Sequence, residues 1–149
     1  MLVRKIGILL TFSFILAACS KSPQELLVGH WKCHGEDENF KFSGDVEYVS
    51  NGTSNVMIEM TGEESATKLS FELMAQGTWK LKKEELLETI TKLTVTRFSV
   101  GGREIPPEKF PKQMKDALVG VTTGSQILQL DERVLLTKYA GNQTTCSRL

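Results

Sequence analysis

The chain has 149 residues, with 18 basic and 18 acidic side chains, and 40% of its residues are hydrophobic. This length suits one domain, and the composition excludes a chain that is mostly disordered. The balanced charge excludes a strongly basic nucleic-acid-binding protein, because affinity for phosphate backbones comes largely from excess Lys and Arg.

The N-terminus has the features of an export signal. Arg4 and Lys5 supply positive charge, and an apolar stretch follows from Ile6 to Leu16. This stretch is too short for a transmembrane helix, which needs about 20 apolar residues. It therefore matches the hydrophobic region of a signal peptide.

Leu16-Ala17-Ala18-Cys19 resembles the lipobox of bacterial lipoproteins. The resemblance implies cleavage before Cys19, which would then carry a diacylglycerol thioether and an acyl chain such as palmitate on its amine. Residues 1–18 are then the signal peptide, 19–25 the lipidated cysteine with a polar tether, and 26–149 the domain. An ordinary signal peptide and a buried N-terminal strand are the alternatives.

Ser20 follows the cysteine at the position where an inner-membrane lipoprotein would carry Asp. In a bacterium with two membranes, the resemblance therefore implies a protein anchored to the outer membrane, with the periplasmic face favoured over the cell surface. The membrane is a partner through the lipid anchor. More than one acyl chain gives stable anchoring, since one chain alone binds marginally.

From Leu26 onward, turn signals alternate with short runs of period-two hydrophobicity, which predicts strands. Asn51-Gly52 is the strongest hairpin signal, because both residues tolerate positive φ. Seven or eight closely spaced strands are typical of antiparallel barrels and sandwiches. The predicted strands include the residues 29–34, 46–48, 56–60, 69–73, 79–82, 87–98, 127–130 and 134–139.

One short helix is predicted within this series of strands. Pro106-Pro107-Glu108 begins it, and Gly120 lies where a left-handed C-cap would end it. The helix presents one apolar stripe, formed by Phe110, Met114, Ala117 and Leu118. We expect it to plug or cover a barrel mouth, with binding of a partner as the alternative.

Gly29-X-Trp31 at the start of the first strand resembles the opening of lipocalin-like (calycin-like) barrels. The hairpin from Tyr48 to Gly52, the strand at Gly77-Thr78-Trp79 and a cysteine near the C-terminus are similar to those of small bacterial lipoproteins with such a domain. The resemblance implies a mainly β fold, an antiparallel up-and-down barrel of seven to eight strands with one short helix. Ligand binding is the hallmark of that family.

Cys33 and Cys146 remain once Cys19 is acylated, so one disulfide is possible, and an exported protein meets an oxidising compartment. Two unpaired buried thiols are the alternative. If the first and last strands pair antiparallel with the two cysteines opposite, Trp31 faces Arg148, close enough for a cation–π contact. We call the junction of these two strands the barrel seam, with Trp31 and Arg148 as its stacked pair, and predict that the disulfide and this pair together lock it. Closing arginines also occur in lipocalin-like barrels.

The sequence predicts no catalytic residue, no metal site and no cofactor. His30 and His34 are about 13 Å apart on a strand, too far to bind one ion together. Cys33 and His34 point to opposite faces, so they are not a thiol–imidazole pair. The acidic residues 36–38 and 63–64 are interpreted as solvated loops.

Two functional hypotheses follow, neither of them enzymatic. The first is a non-catalytic binding role for a small apolar ligand, with possible wall residues Trp31, Trp79, Phe71 and Phe98. The alternative is an envelope interaction protein or hydrolase inhibitor that acts through an exposed surface. Small barrels can be filled by their own side chains. An apolar cavity would therefore favour the first hypothesis and a solid core the second.

Overall fold

The computed structural model describes residues 20–149, so the predicted signal peptide and Cys19 lie outside the described residues. Strands dominate this part of the chain. They are β1 (Gly29–Glu36), β2 (Phe40–Tyr48), β3 (Thr53–Glu64), β4 (Thr67–Lys82), β5 (Glu85–Val100), β6 (Arg103–Glu104), β7 (Thr122–Leu130), β8 (Val134–Tyr139) and β9 (Asn142–Arg148). The helices are α1 (Pro23–Leu27), a 3₁₀ turn (Pro107–Lys109) and α2 (Lys112–Leu118).

Eight of these strands close into an up-and-down barrel. The order is β1-β2-β3-β4-β5-β7-β8-β9, and β9 pairs with β1 to complete the ring. Every strand pair is antiparallel, and the two-residue β6 extends the top of β5 by pairing with Ser99 and Val100. The predicted fold class, a mainly β antiparallel barrel of seven to eight strands, is confirmed.

Local side-chain chemistry forms the tight turns between strands. At the β2–β3 turn, Gly52 adopts φ +83°, and the Asn51 side chain accepts a hydrogen bond from the Thr53 amide at 3.0 Å. At the β7–β8 turn, the Asp131 carboxylate accepts from the amides of Arg133 and Val134 at 2.7 and 2.8 Å. These side-chain hydrogen bonds stabilise the two turns at the positions where the sequence predicts that the chain reverses.

Two irregularities curve the long β4–β5 hairpin. Its register shifts between Gln76 and Gly77 and again between Glu72 and Leu73, which leaves Thr91 and Thr96 unpaired in β5. Their hydroxyls donate to the carbonyls of Gln76 and Glu72, each at 3.1 Å. A bulge increases local twist and bend, so these positions help the sheet to close.

Helix α1 was not expected from the sequence. The Ser22 hydroxyl accepts from the Glu25 amide while the Glu25 carboxylate accepts from the Ser22 amide, which is a capping box. Pro23 to Glu25, assigned to the tether by the sequence, are therefore helical. The helix ends by burying Leu27 completely, which fastens the start of the domain to the barrel.

The predicted helix near residue 110 is divided into two pieces. Pro111 disfavours helical backbone at the residue before it, and Phe110 has ψ 132°. The chain therefore makes the 3₁₀ turn first and begins α2 at Lys112. Gly120 follows the C-cap Val119 with φ +84°, the left-handed conformation expected at that position.

The barrel has two distinct ends. The lower end is where β1 begins and β9 ends, next to α1; the upper end carries the β1–β2 turn and α2. Residues 20–149 contain a ladder that closes on itself, a buried core and a disulfide, so this part of the chain is a self-contained folding unit. Within it, no helix is long and apolar enough to cross a membrane.

Candidate ligand cavity

The lower end of the barrel is closed by packed side chains. Both tryptophans belong to this core, and each indole N–H has a backbone acceptor: Trp31 donates to the Leu27 carbonyl at 2.8 Å and Trp79 to the Val49 carbonyl at 3.0 Å. The indoles are thus buried without an unsatisfied donor. The core cluster contains Leu27, Trp31, Cys33, Val46, Tyr48, Trp79, Leu86, Leu135 and Cys146.

The barrel seam joins the first and last strands. Cys33 and Cys146 lie opposite each other with their Cα atoms 4.0 Å apart and form a disulfide, so the predicted bond is confirmed. In the same register Trp31 lies opposite Arg148, whose Cζ is 4.2 Å from the ring centroid. The strands β1 and β9 are therefore joined both covalently and through this stacked pair.

Arg148 also connects β9 with two other segments at the lower end. Its guanidinium donates to the carbonyls of Val28 and Leu26, which lie on the approach to β1, and to the Glu132 carbonyl in the β7–β8 turn. Gly29 makes this possible, because a Cβ there would collide with the Arg148 Nη1 atom, and its φ of +136° is unfavourable for other residues. This is the physical reason for glycine in the Gly-X-Trp motif.

Above this core lies a cavity of about 510 Å³, a size typical of sites for small molecules. Most of its wall is apolar, and the lining includes the small residues Gly44, Ala75, Gly77 and Ser125. Larger apolar residues complete the wall: Phe42, Val46, Val56, Ile58, Met60, Leu73, Leu86, Ile90, Leu93, Leu118, Val121 and Leu135.

The four aromatic residues predicted for the wall do not line this cavity, although all lie within residues 20–149. Trp31 and Trp79 belong to the core beneath it. Phe71 and Phe98 stack at 5.3 Å, with Phe110 edge-on to both rings. All four rings pack in the core or on one another instead of facing the cavity, so the prediction that they line its wall was wrong. Alternation along β4 places Phe71 on the same face as the wall residue Leu73, so the sequence pattern does not separate the cavity wall from the packed core.

A polar pair faces the cavity near its floor. The Tyr48 hydroxyl donates to the Glu88 Oε1 atom at 2.8 Å. Burial raises the pKa of the Glu88 carboxyl, against the opposing effect of that hydrogen bond. Burial, and then the Glu88 charge, raises the pKa of the Tyr48 hydroxyl well above its usual value. Nothing in the sequence pattern distinguishes Glu88 from the exposed acidic residues.

The upper end is the mouth of the cavity. Three lining side chains remain partly open to solvent there: Leu118 is 43% exposed, Val121 49% and Tyr139 55%. Ala117 and Leu118 of α2 line the cavity, whereas Met114 on the same helix is 49% exposed. The helix therefore lies at the rim of the mouth without filling it.

The histidines and acidic runs are surface features. His30 is 65% exposed and its Nε2 lies 3.4 Å from the Glu47 carboxylate. The Asp37 carboxylate accepts from the amides of Asn39 and Phe40, which lowers its pKa and shapes the β1–β2 turn. Within residues 20–149, no group of three or more His, Cys, Asp or Glu side chains is arranged to hold a metal ion.

No protein-family model and no curated protein matches the chain. Among solved structures, it is similar to a lipocalin-like protein from Bacteroides uniformis, at 13% identity and a TM-score of 0.38, covering 83% of this chain and 99% of that one. It is also similar to an uncharacterized protein from Bacteroides eggerthii, at 12% identity and a TM-score of 0.36, with the same coverage. At this similarity neither structure indicates a ligand for this chain.

Proposed function

We propose that this chain is a lipoprotein, anchored to the outer membrane through Cys19, that binds a small apolar ligand in its barrel without catalysing a reaction. The cavity carries the proposal. Its volume is about 510 Å³, its wall is largely apolar, and exposed apolar side chains surround its mouth. A barrel that served as a solid scaffold would not need this space, because packed interiors leave few voids larger than water.

The direction of the mouth supports uptake from the aqueous side. Helix α1 lies at the lower end, where Lys21 forms an ion pair with Glu132 of the β7–β8 turn at 2.8 Å. The proposed lipid on Cys19 would therefore hold the closed end of the barrel towards the membrane. The mouth, at the opposite end, would face away from the anchoring membrane and receive ligand from the periplasm.

The binding role is tested by native and denaturing mass spectrometry of the chain from Ser20 onward. We expect the native mass to exceed the denatured mass by a discrete amount, and lipid extraction then identifies the ligand. Ile58→Trp places a large ring in the cavity and should abolish the excess of native over denatured mass. Met57→Trp, on the exposed outer face of the same strand, is the control and should retain this excess mass. An empty protein that also fails to take up the apolar dye N-phenylnaphthylamine would contradict the proposal.

The anchor is tested separately by feeding cells labelled palmitate. We expect the full-length protein to carry label in the outer membrane and Cys19→Ser to carry none. Ser20→Asp should keep the label but move the protein to the inner membrane, which separates acylation from sorting. An unlabelled wild-type protein would contradict lipidation, and an unchanged location of Ser20→Asp would contradict the sorting argument.

A further inference from the structure

We propose that the ligand is a cationic amphiphile, whose protonated amine pairs with Glu88 near the cavity floor while its apolar chain points towards the mouth. This inference rests on the proposed binding function and specifies the chemical class of the ligand. It is carried by the position of Glu88, by the hydrogen bonding of its carboxylate, and by the charges around the cavity.

The Glu88 carboxylate is only partly satisfied by the protein. Tyr48 donates to Oε1, but among the described residues no side chain donates to Oε2. The residue is half-buried and lines the cavity, so Oε2 is available to a molecule inside. A carboxylate has room for several donors, and an ammonium head supplies three.

The charge around Glu88 is uncompensated. Among the described residues that line the cavity, Glu88 is the one carboxylate, and none is Lys, Arg or His. A carboxylate removed from water without a partner is costly, and a cation that binds beside it removes most of this cost. A ligand carboxylate would instead place a second negative charge nearby, and a hydroxyl would leave the charge unpaired.

The wall determines which way such a ligand would lie. Along β5, Glu88 follows Leu86 of the floor, whereas Ile90 and Leu93 continue towards the mouth. Leu73 of β4 pairs with Val95, one step further towards the mouth, and Ile58 of β3 pairs with Leu73. The polar site is therefore at the bottom and the apolar wall above it, which suits a head-down orientation of an amphiphile.

Isothermal titration calorimetry of the chain from Ser20 onward tests this with decylamine, decanol and decanoate, which share a chain and differ in head group. Near neutral pH and below micelle formation, we expect decylamine to bind roughly tenfold more tightly than the other two. Glu88→Gln should remove the preference for the amine, so that decylamine binds no more tightly than decanol. Glu59→Gln, on the outer face of β3, is the matched control and should behave as wild type.

A second measurement needs no variant. Acid should weaken decylamine binding to the wild-type protein, since protonation of Glu88 removes the negative charge, while decanol affinity stays constant. Among the described residues that line the cavity, Glu88 is the one carboxylate, so acid acts on this site through that side chain.

The outcomes distinguish a failure of the cationic-ligand inference from a failure of the proposed binding function. Equal binding of the three probes, tighter binding of decanoate, or an amine preference that survives in Glu88→Gln would overturn the cationic class and leave an apolar cavity function standing. If none of the three probes binds, the proposed function and the inference both fail.

Discussion

Arg148 illustrates how one side chain can close the lower end of a barrel. It stacks on Trp31 and donates to carbonyls before β1 and in the β7–β8 turn, so it links segments distant in sequence. The missing Cβ of Gly29 provides the room for its guanidinium. Because these groups depend on one another, substitution of any of them should disturb the others.

We expect Arg148→Ala to lower the free energy of unfolding by about 2–4 kcal/mol, from the lost cation–π contact and charge-assisted hydrogen bonds. Chemical denaturation of the oxidised chain from Ser20 onward measures this. Arg133→Ala, a change in the neighbouring turn at an exposed position, should cost less than about 0.5 kcal/mol. Equal unfolding midpoints for Arg148→Ala and wild type would show that the stacked pair does not stabilise the seam.

The segment of residues 106–120, which contains the 3₁₀ turn and α2, lies at the rim of the mouth. It is fastened at two points: Phe110 packs edge-on against Phe71 and Phe98, and the Gly120 amide donates to the Ile90 carbonyl at 2.8 Å. Between these points, every residue of α2 is exposed. Few buried contacts predict easy local opening, which suits an element beside a ligand entrance.

We expect Phe110→Ala to release this segment while leaving the lower barrel intact, because the ring is its main apolar contact. Hydrogen exchange should accelerate at the amides of 107–119 and stay unchanged in β1 and β9. The global free energy of unfolding should fall by about 1–2 kcal/mol, less than for a fully buried ring. Met114→Ala is the control, since that side chain is half-exposed; a similar effect from both variants would contradict the anchoring role of Phe110.

At the scale of the whole molecule, closure of the barrel depends on contacts between the two ends of the chain. The disulfide joins residues separated by 113 positions and lies at the β1–β9 junction, where the ring closes. Bringing such distant strands together costs conformational entropy. A covalent link removes much of this cost from folding, because the unfolded chain is already constrained.

We expect the double variant Cys33→Ala/Cys146→Ala to lose about 4–5 kcal/mol in the free energy of unfolding, the amount that the chain-entropy model gives for a loop of this size. Urea denaturation at neutral pH measures the loss, and reduced wild-type protein should show a similar decrease. A loss below about 1 kcal/mol would mean that the β-ladder closes the barrel without help from the disulfide.

The sequence by itself determined most of the strands and turns, although the predicted runs 69–73 and 79–82 form the single strand β4, and β9 was not among the predicted runs. Alternation identifies inward positions such as Trp31 and Cys33, and Asn51-Gly52 marks a reversal, because both signals arise from neighbouring residues. The register of β1 against β9 was predicted only on the assumption that the two strands pair antiparallel with Cys33 opposite Cys146, and the structure has this register. Helix α1 was missed, although its capping box is a local signal in Ser22 and Glu25.

Only the tertiary structure decided whether the barrel is hollow and which residues face the space. Alternation shows that a side chain points inward, but the strand number and stagger of a closed sheet set how far it reaches across. The large rings of Phe71 and Phe98 pack on each other, whereas the small side chain of Ala75 lines the cavity. Tyr48 and Glu88 are 40 positions apart and meet only because their strands curve around one interior.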